Sequence, residues 1–307
     1  MRISTLQEQT SMLSHLQAAT SRSNSDWNRV ASGKKLNQPS DDPLSAVQIL
    51  EVNRRITATD VYLQNIAALN DLLGHEDILL KEGINLVGRA RDVILQSNNA
   101  AMDDIGLQAH GREVAHIIDS LVTVVNTRDA DGNYLFGGHK IYDAPIVIES
   151  DGRLRVNNDN ASQRKVMVTE TASVSGPDNA HELCFHINDG AGGTFNLLTV
   201  LVELKGHLLT PPSDLSSRLT VALDKMDKAA DCLNSHQTNL GARLNMLGET
   251  ADNHREYKIF CQKLAGDLGD LDYAAAVSRL SQSTTAMDAA RKSLTSVGSL
   301  SLFQYLK

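Results

Sequence analysis

The chain has 307 residues, enough for two or three domains, a formal net charge of −8 and an aromatic content of only 4%. An acidic balance without a basic stripe argues against nucleic-acid binding, because phosphate contacts need a positive surface. One Trp and six Pro leave few large anchors for a compact enzyme of this size, but suit long helices with narrow seams.

No run approaches the ~18–20 apolar residues of a membrane span, so no membrane insertion is expected. Residues 1–17 lack a basic segment followed by an apolar one, so no secretory signal peptide is expected. Cys184, Cys232 and Cys261 are odd in number, widely spaced and without a CxxC pair, which points to neither a disulfide framework nor a zinc site. On these features alone the expected compartment is the cytoplasm, unless export proceeds without a cleaved signal.

In chain order, Ile3, Leu6, Thr10, Leu13, Leu16, Thr20, Ser23, Trp27 and Val30 follow at steps of three or four. That spacing predicts a helix over about 3–31 with one narrow apolar seam, ending at Gly33, a residue suited to a left-handed cap. The polar link 34–40 leads to Asp41-Asp42-Pro43, a helix start in which Asp42 caps and Pro43 fills the first turn without losing a hydrogen bond. Leu44, Val47, Leu50, Val61, Ile66, Leu69 and Leu73 carry this second helix toward Ser97, a length on the order of 80 Å. A turn at 98–106 and a returning amphipathic helix over 107–125 follow.

After Asn126 the pattern changes. Ile146 to Glu149 and Arg153 to Val156 flank Ser150-Asp151-Gly152, a hairpin signal. Residues 164–171 alternate, and Glu182 to Ile187 is a further strand candidate. Helix resumes near Phe195, breaks at Pro211-Pro212 and continues in two segments, about 214–264 and 270–300. In the last of these Val277, Leu280, Thr284, Met287 and Leu294 repeat the rhythm of the N-terminus. The expected fold is mainly α with an inserted β-rich domain (α+β), the two ends forming a long antiparallel coiled coil. The expected divisions are a helical part at 1–140, a β-rich outer domain at 141–193 and a helical part at 194–307.

Groupings that suggest chemistry have plainer explanations. His181 and His186 flank Glu182, but zinc-protease chemistry needs a separation of four on a helix. Here it is five, and a strand would put the two rings on opposite faces. Asp129, Asp131 and Asn133 hint at a calcium loop, yet Gly132 falls too early and no Glu follows at the required distance, leaving a turn. Gly190, Gly192 and Gly193 have no Lys-Ser or Lys-Thr after them and read as a joint. No catalytic residue, metal or cofactor is expected.

Several stretches taken together resemble the bacterial flagellin superfamily. Ser32-Gly33-Lys34-Lys35-Leu36-Asn37 with Pro39-Ser40-Asp41-Asp42-Pro43 resembles its turn between the first two helices. Leu240-Gly241-Ala242-Arg243-Leu244-Asn245, Asp272-Tyr273-Ala274 and Ser278-Arg279-Leu280 resemble its C-terminal half. Asn133 to Gly138 and the ending Ser301 to Leu306 resemble the branch found at the hook–filament junction. The resemblance implies a non-enzymatic structural adaptor that assembles with copies of itself, with an adjacent hook-associated protein below and with flagellin above. It also implies terminal helices that order on assembly, type III export with an uncleaved signal to the extracellular flagellum, and an export chaperone on the C-terminal segment. The residues assigned to inter-subunit packing are Ile3, Leu6, Leu13, Leu16, Trp27, Val30, Val277, Leu280, Met287, Leu294, Val297 and Phe303, with Asp41, Asp42 and Pro43 forming the helix-start turn. Burial of these seams within one subunit only, a flagellin-type filament subunit and a cytoplasmic coiled-coil protein stand as alternatives.

Overall fold

A computed structural model describes residues 2–99, 102–148, 154–157, 162–190 and 192–303. Helices dominate: α1 (Arg2–Ser32), α2 (Pro43–Ser97), α3 (Asp104–Val125), α4 (Leu197–Leu209), α5 (Leu215–Gly269) and α6 (Tyr273–Phe303). Between α3 and α4 lie three small antiparallel pairs: β1 (Ile146–Ile148) with β2 (Leu154–Val156), β3 (Lys165–Met167) with β4 (Ser173–Ser175), and β5 (Ile187–Asn188) with β6 (Thr194–Phe195). The fold is mainly helical with a small β-containing insertion.

Capping chemistry sets the helix ends. Gly33 closes α1 at φ +69°, its N–H donating to the Arg29 carbonyl at 2.9 Å. Asp42 starts α2 by accepting from the Ser45 N–H (3.2 Å) and hydroxyl (2.7 Å). Asp103 caps α3 through the Gly106 N–H, so that helix begins before residue 107. Asn196 accepts from the N–H groups of Leu198 and Thr199 and caps α4.

The chain divides into two compact units. One comprises residues 60–254 and contains nearly all of the core. In it Ile66, Leu73, Leu80, Val87 and Ile94 recur on α2 at steps of seven, as Leu219, Met226, Leu233, Leu240 and Leu247 do on α5. These rows, with α3 and α4, form one hydrophobic cluster. Gly111 lets α4 approach α3 closely, because a Cβ there would lie 3.0 Å from the Leu209 side chain.

One expectation fails here. His181–Phe185 forms a π-helical turn rather than a strand, and only Ile187 and Asn188 go on to pair as β5. A π turn brings residues five apart onto one side, so the rings of His181 and His186 stack at 4.9 Å instead of facing opposite ways. Asn179 initiates the turn by accepting from the Glu182 N–H at 2.9 Å, while Leu183, Cys184 and Phe185 are buried beneath it.

The other unit comprises residues 1–59 and 255–307. In it α1 and α6 pack together, antiparallel, as the hydrogen bond from the Leu271 N–H to the Gly33 carbonyl (3.0 Å) requires.

Candidate assembly interface

The unit built from both ends of the chain has little interior. Among its described residues the buried apolar side chains are Val52, Cys261 and Ala276. A helical unit with so few buried groups leaves much apolar surface uncovered. Leu44, Val47 and Leu50 on α2 are 71%, 65% and 62% exposed, and Ile259 and Phe260 on α5 are similarly open.

Within the α1–α6 pair, the covered positions follow a four-three alternation. On α1 it runs through Met12, Leu16, Ala19, Ser23, Asp26 and Val30, with Thr20 and Arg29 covered beside it; on α6 it runs through Ala276, Leu280, Ser283, Met287, Ala290 and Leu294, with Ala275 and Thr284 covered beside it. Alternation of this kind is the heptad seam of paired helices. Of the residues expected to pack, Leu16, Val30, Leu280, Met287 and Leu294 lie in this seam. Leu13, Trp27 and Val277 lie outside it, at 48%, 63% and 52% exposure. The side chains of Ile3, Leu6, Val297 and Phe303 lie outside the described residues, as do residues 304–307.

The junction that holds this pair is made of main-chain bonds. The Lys35 N–H donates to the Gly269 carbonyl at 2.8 Å, beside a β-bridge between Lys34 and Asp270. Asp41 accepts from the N–H groups of Asn37 and Gln38 and pairs with Arg29 at 3.6 Å, which together hold its carboxyl below the usual range. Thus Asp42 and Pro43 start α2, whereas Asp41 folds the loop before it. Asp272 caps α6 through the N–H groups of Ala274 and Ala275. Two stretches singled out in the sequence, 32–43 and 272–274, are therefore stitched into one junction.

A third, Leu240–Asn245, works in the other unit, where Leu240 is fully buried and Arg243 donates to the Gly176 carbonyl (2.8 Å) and to Asp178 (2.7 Å). Asn133–Gly138 also lies there: Phe136 is buried, and its carbonyl accepts from the Ala180 N–H at 3.0 Å. Among the described residues no group of three His, Cys, Asp or Glu side chains is placed to hold a metal, and no helix is long and apolar enough to cross a membrane.

Residues 3–140 match the family model for the bacterial flagellin N-terminal helical region. Flagellar hook-associated protein 3 of Escherichia coli is 25% identical over 91% of both chains, and that of Salmonella typhimurium is 24% identical over 90% of both. Over these lengths the chain is similar to hook-associated members of the bacterial flagellin superfamily. Among solved structures, a flagellar hook-associated protein from Vibrio parahaemolyticus superposes with a TM-score of 0.68 at 26% identity, covering 75% of this chain and all of that one. Hook-associated protein 3 from Legionella pneumophila, 17% identical, shares the fold at a TM-score of 0.64 over 72% of this chain and 98% of its own. The resemblance read from residues 32–43, 133–138, 240–245 and 272–280 is to this same superfamily. Its members named here are components of the bacterial flagellum.

The sequence reading missed the polar cluster around Asp178. Its signal lies in the steps of seven: Glu76 on α2, and His236 and Arg243 on α5, occupy positions where the repeat calls for apolar residues.

Proposed function

We propose that this chain is a structural adaptor of the flagellin superfamily at the hook–filament junction, joining the hook-associated ring to the filament and performing no catalysis. The observation that carries the reading is likeness to hook-associated protein 3 along nine-tenths of both lengths. The nearly coreless unit formed by the two ends supports it, because such a unit gains cover by packing against copies of itself. In this reading Leu13, Trp27 and Val277, outside the seam between α1 and α6, meet neighbouring subunits. Leu16, Val30, Leu280, Met287 and Leu294 form the intramolecular half of the packing, and Ile3, Leu6, Val297 and Phe303 extend it. Copies of the chain assemble together, with an adjacent hook-associated protein below and flagellin above. The protein is extracellular, exported without a cleaved signal peptide, and an export chaperone covers its C-terminal segment beforehand. Residues 1–140 and 194–307 serve as the helical parts and 141–193 as an outer insertion.

A filament subunit is the second reading, favoured by 23% identity to the flagellin of Listeria innocua over 83% of this chain. Deletion of the encoding gene separates the two. An adaptor's loss releases filament monomer into the medium from cells that retain hooks, and gold-labelled antibody marks a short zone between hook and filament in the parent. Label along the whole filament, or no released monomer, overturns the adaptor reading.

A further inference from the structure

Asp178 enters the helical core of the 60–254 unit from the insertion. Its Oδ1 accepts from Arg243 Nη2 (2.7 Å) and Gln163 Nε2 (2.8 Å), and its Oδ2 lies 2.7 Å from His236 Nδ1. Glu76, with no exposed surface at all, accepts from the Asp178 N–H through Oε1 at 2.8 Å, while its Oε2 is buried without a hydrogen-bond partner. A carboxylate in that position would face a second carboxylate with half of its acceptor capacity unmet, an expensive arrangement in a low-dielectric seam. A neutral acid removes the charge repulsion and the larger cost of burying an ion, leaving only an unpaired neutral oxygen. The cluster joins three parts of the unit: α2 through Glu76, the insertion through Gln163, Gly176 and Asp178, and α5 through His236 and Arg243.

We propose that Glu76 is a proton-held latch: neutral, it lets the seam close over Asp178, and ionised, it frees residues 163–178 of the insertion from α2 and α5. The other charged and titratable groups around it, Arg243 and His236 among them, offset the cost of ionisation only in part. On its own helix Asp77 is engaged by Lys81 and Gln237, and His75 is the other titratable neighbour in sequence. On α5, Arg243 and His236 are committed to Asp178, with Cys232 beside His236. The π-helical turn contributes the Glu182 carbonyl, which accepts from Cys232. Burial, followed by the Asp178 charge, pushes the Glu76 acid up to about 8, so the latch opens on the alkaline side of neutrality.

The test is a carboxyl-carbon NMR titration of the full chain labelled at glutamate side chains, with Glu76 assigned by its loss in Glu76→Gln. The expected result is one glutamate titrating near pH 8, accompanied by shifts of the Gln163 and Asp178 amides with the same midpoint. In Glu76→Gln those amide shifts vanish, and the segment stays closed at a pH where opening in the parent rises about tenfold per unit. Titration of Glu76 with the bulk of the glutamates, or amide shifts that persist in Glu76→Gln, overturns the proposal. Should that variant fail to fold, Glu76→Asp supplies the assignment and the parent titration alone decides.

Discussion

Trp27 separates what holds the isolated chain together from what assembles it. At 63% exposure it leaves about 160 Å² of a side chain of ~250 Å² facing water, and complete cover at ~25 cal/mol per Å² is worth about 4 kcal/mol. That corresponds to about a thousandfold in association for each such contact, before ordering costs. In the isolated chain Trp27→Ala removes little that is already buried, and its expected effect is within about 0.5–1 kcal/mol. Leu201→Ala is the control: Leu201 is fully buried, so truncation costs about 2–5 kcal/mol and lowers the melting midpoint of its unit by on the order of 10 °C. Circular-dichroism melting of the purified chains, with complementation of a null strain scored by swimming and electron microscopy, reads both quantities. Trp27→Ala is expected to melt like the parent and fail to support filaments. Melting like Leu201→Ala, or filaments of normal number and length, refutes the assignment of Trp27 to subunit contacts.

Gly33→Ala places a Cβ 2.7 Å from the Tyr273 hydroxyl at a left-handed φ, and is expected to destabilise the terminal unit by about 1–3 kcal/mol. Tyr273→Phe recovers only the steric part, measurable by melting the double variant. Asp42→Ala removes the α2 cap and costs about 1 kcal/mol by the same assay. Arg243→Met leaves Asp178 buried without one of its two cationic partners and costs about 3–5 kcal/mol; a melting midpoint equal to the parent's contradicts the cluster geometry. The cluster also sets a pH profile. Burial raises Asp178, but His236 and Arg243 outweigh it and hold the acid low, so that contribution is lost as pH falls through the carboxylate range below 3.8. Glu76, raised from 4.5 to about 8, and His236, raised by its Asp178 contact from 6.5 to about 10, each stabilise most below their unfolded values and lose that contribution as pH rises to the folded ones. Melting midpoints measured from pH 4 to 10 should therefore decline toward the alkaline end, and a flat profile counts against the assignment.

Much of the helical architecture is written locally. Gly33, Asp42, Pro43 and the Pro211-Pro212 break act within a few residues of themselves, so the limits of α1, α2 and α4 are readable without tertiary knowledge. The choice between neighbouring seam positions is not local. Leu13 and Trp27 sit one residue from Met12 and Asp26, and a step of three or four accommodates either frame until the partner helix selects one. Residues 182–187 misled for another reason: Cys184, Phe185 and Ile187 have strand-like side chains, but the Asn179 side chain and burial of Leu183 against the helices impose a π turn. The Asp178 cluster was legible only in part, because Glu76, His236 and Arg243 break a repeat whereas Asp178 arrives from a segment with no period at all.

The bond from the Leu271 N–H to the Gly33 carbonyl has a temporal meaning. Residues 60–254 emerge from a ribosome as one uninterrupted run and close among themselves as soon as they are made. Helix α1 has no such option: its partner α6 is synthesised roughly 10–50 s later at ordinary elongation rates. During that interval the nascent head stays free of its own tail and open to capture by anything that binds it first.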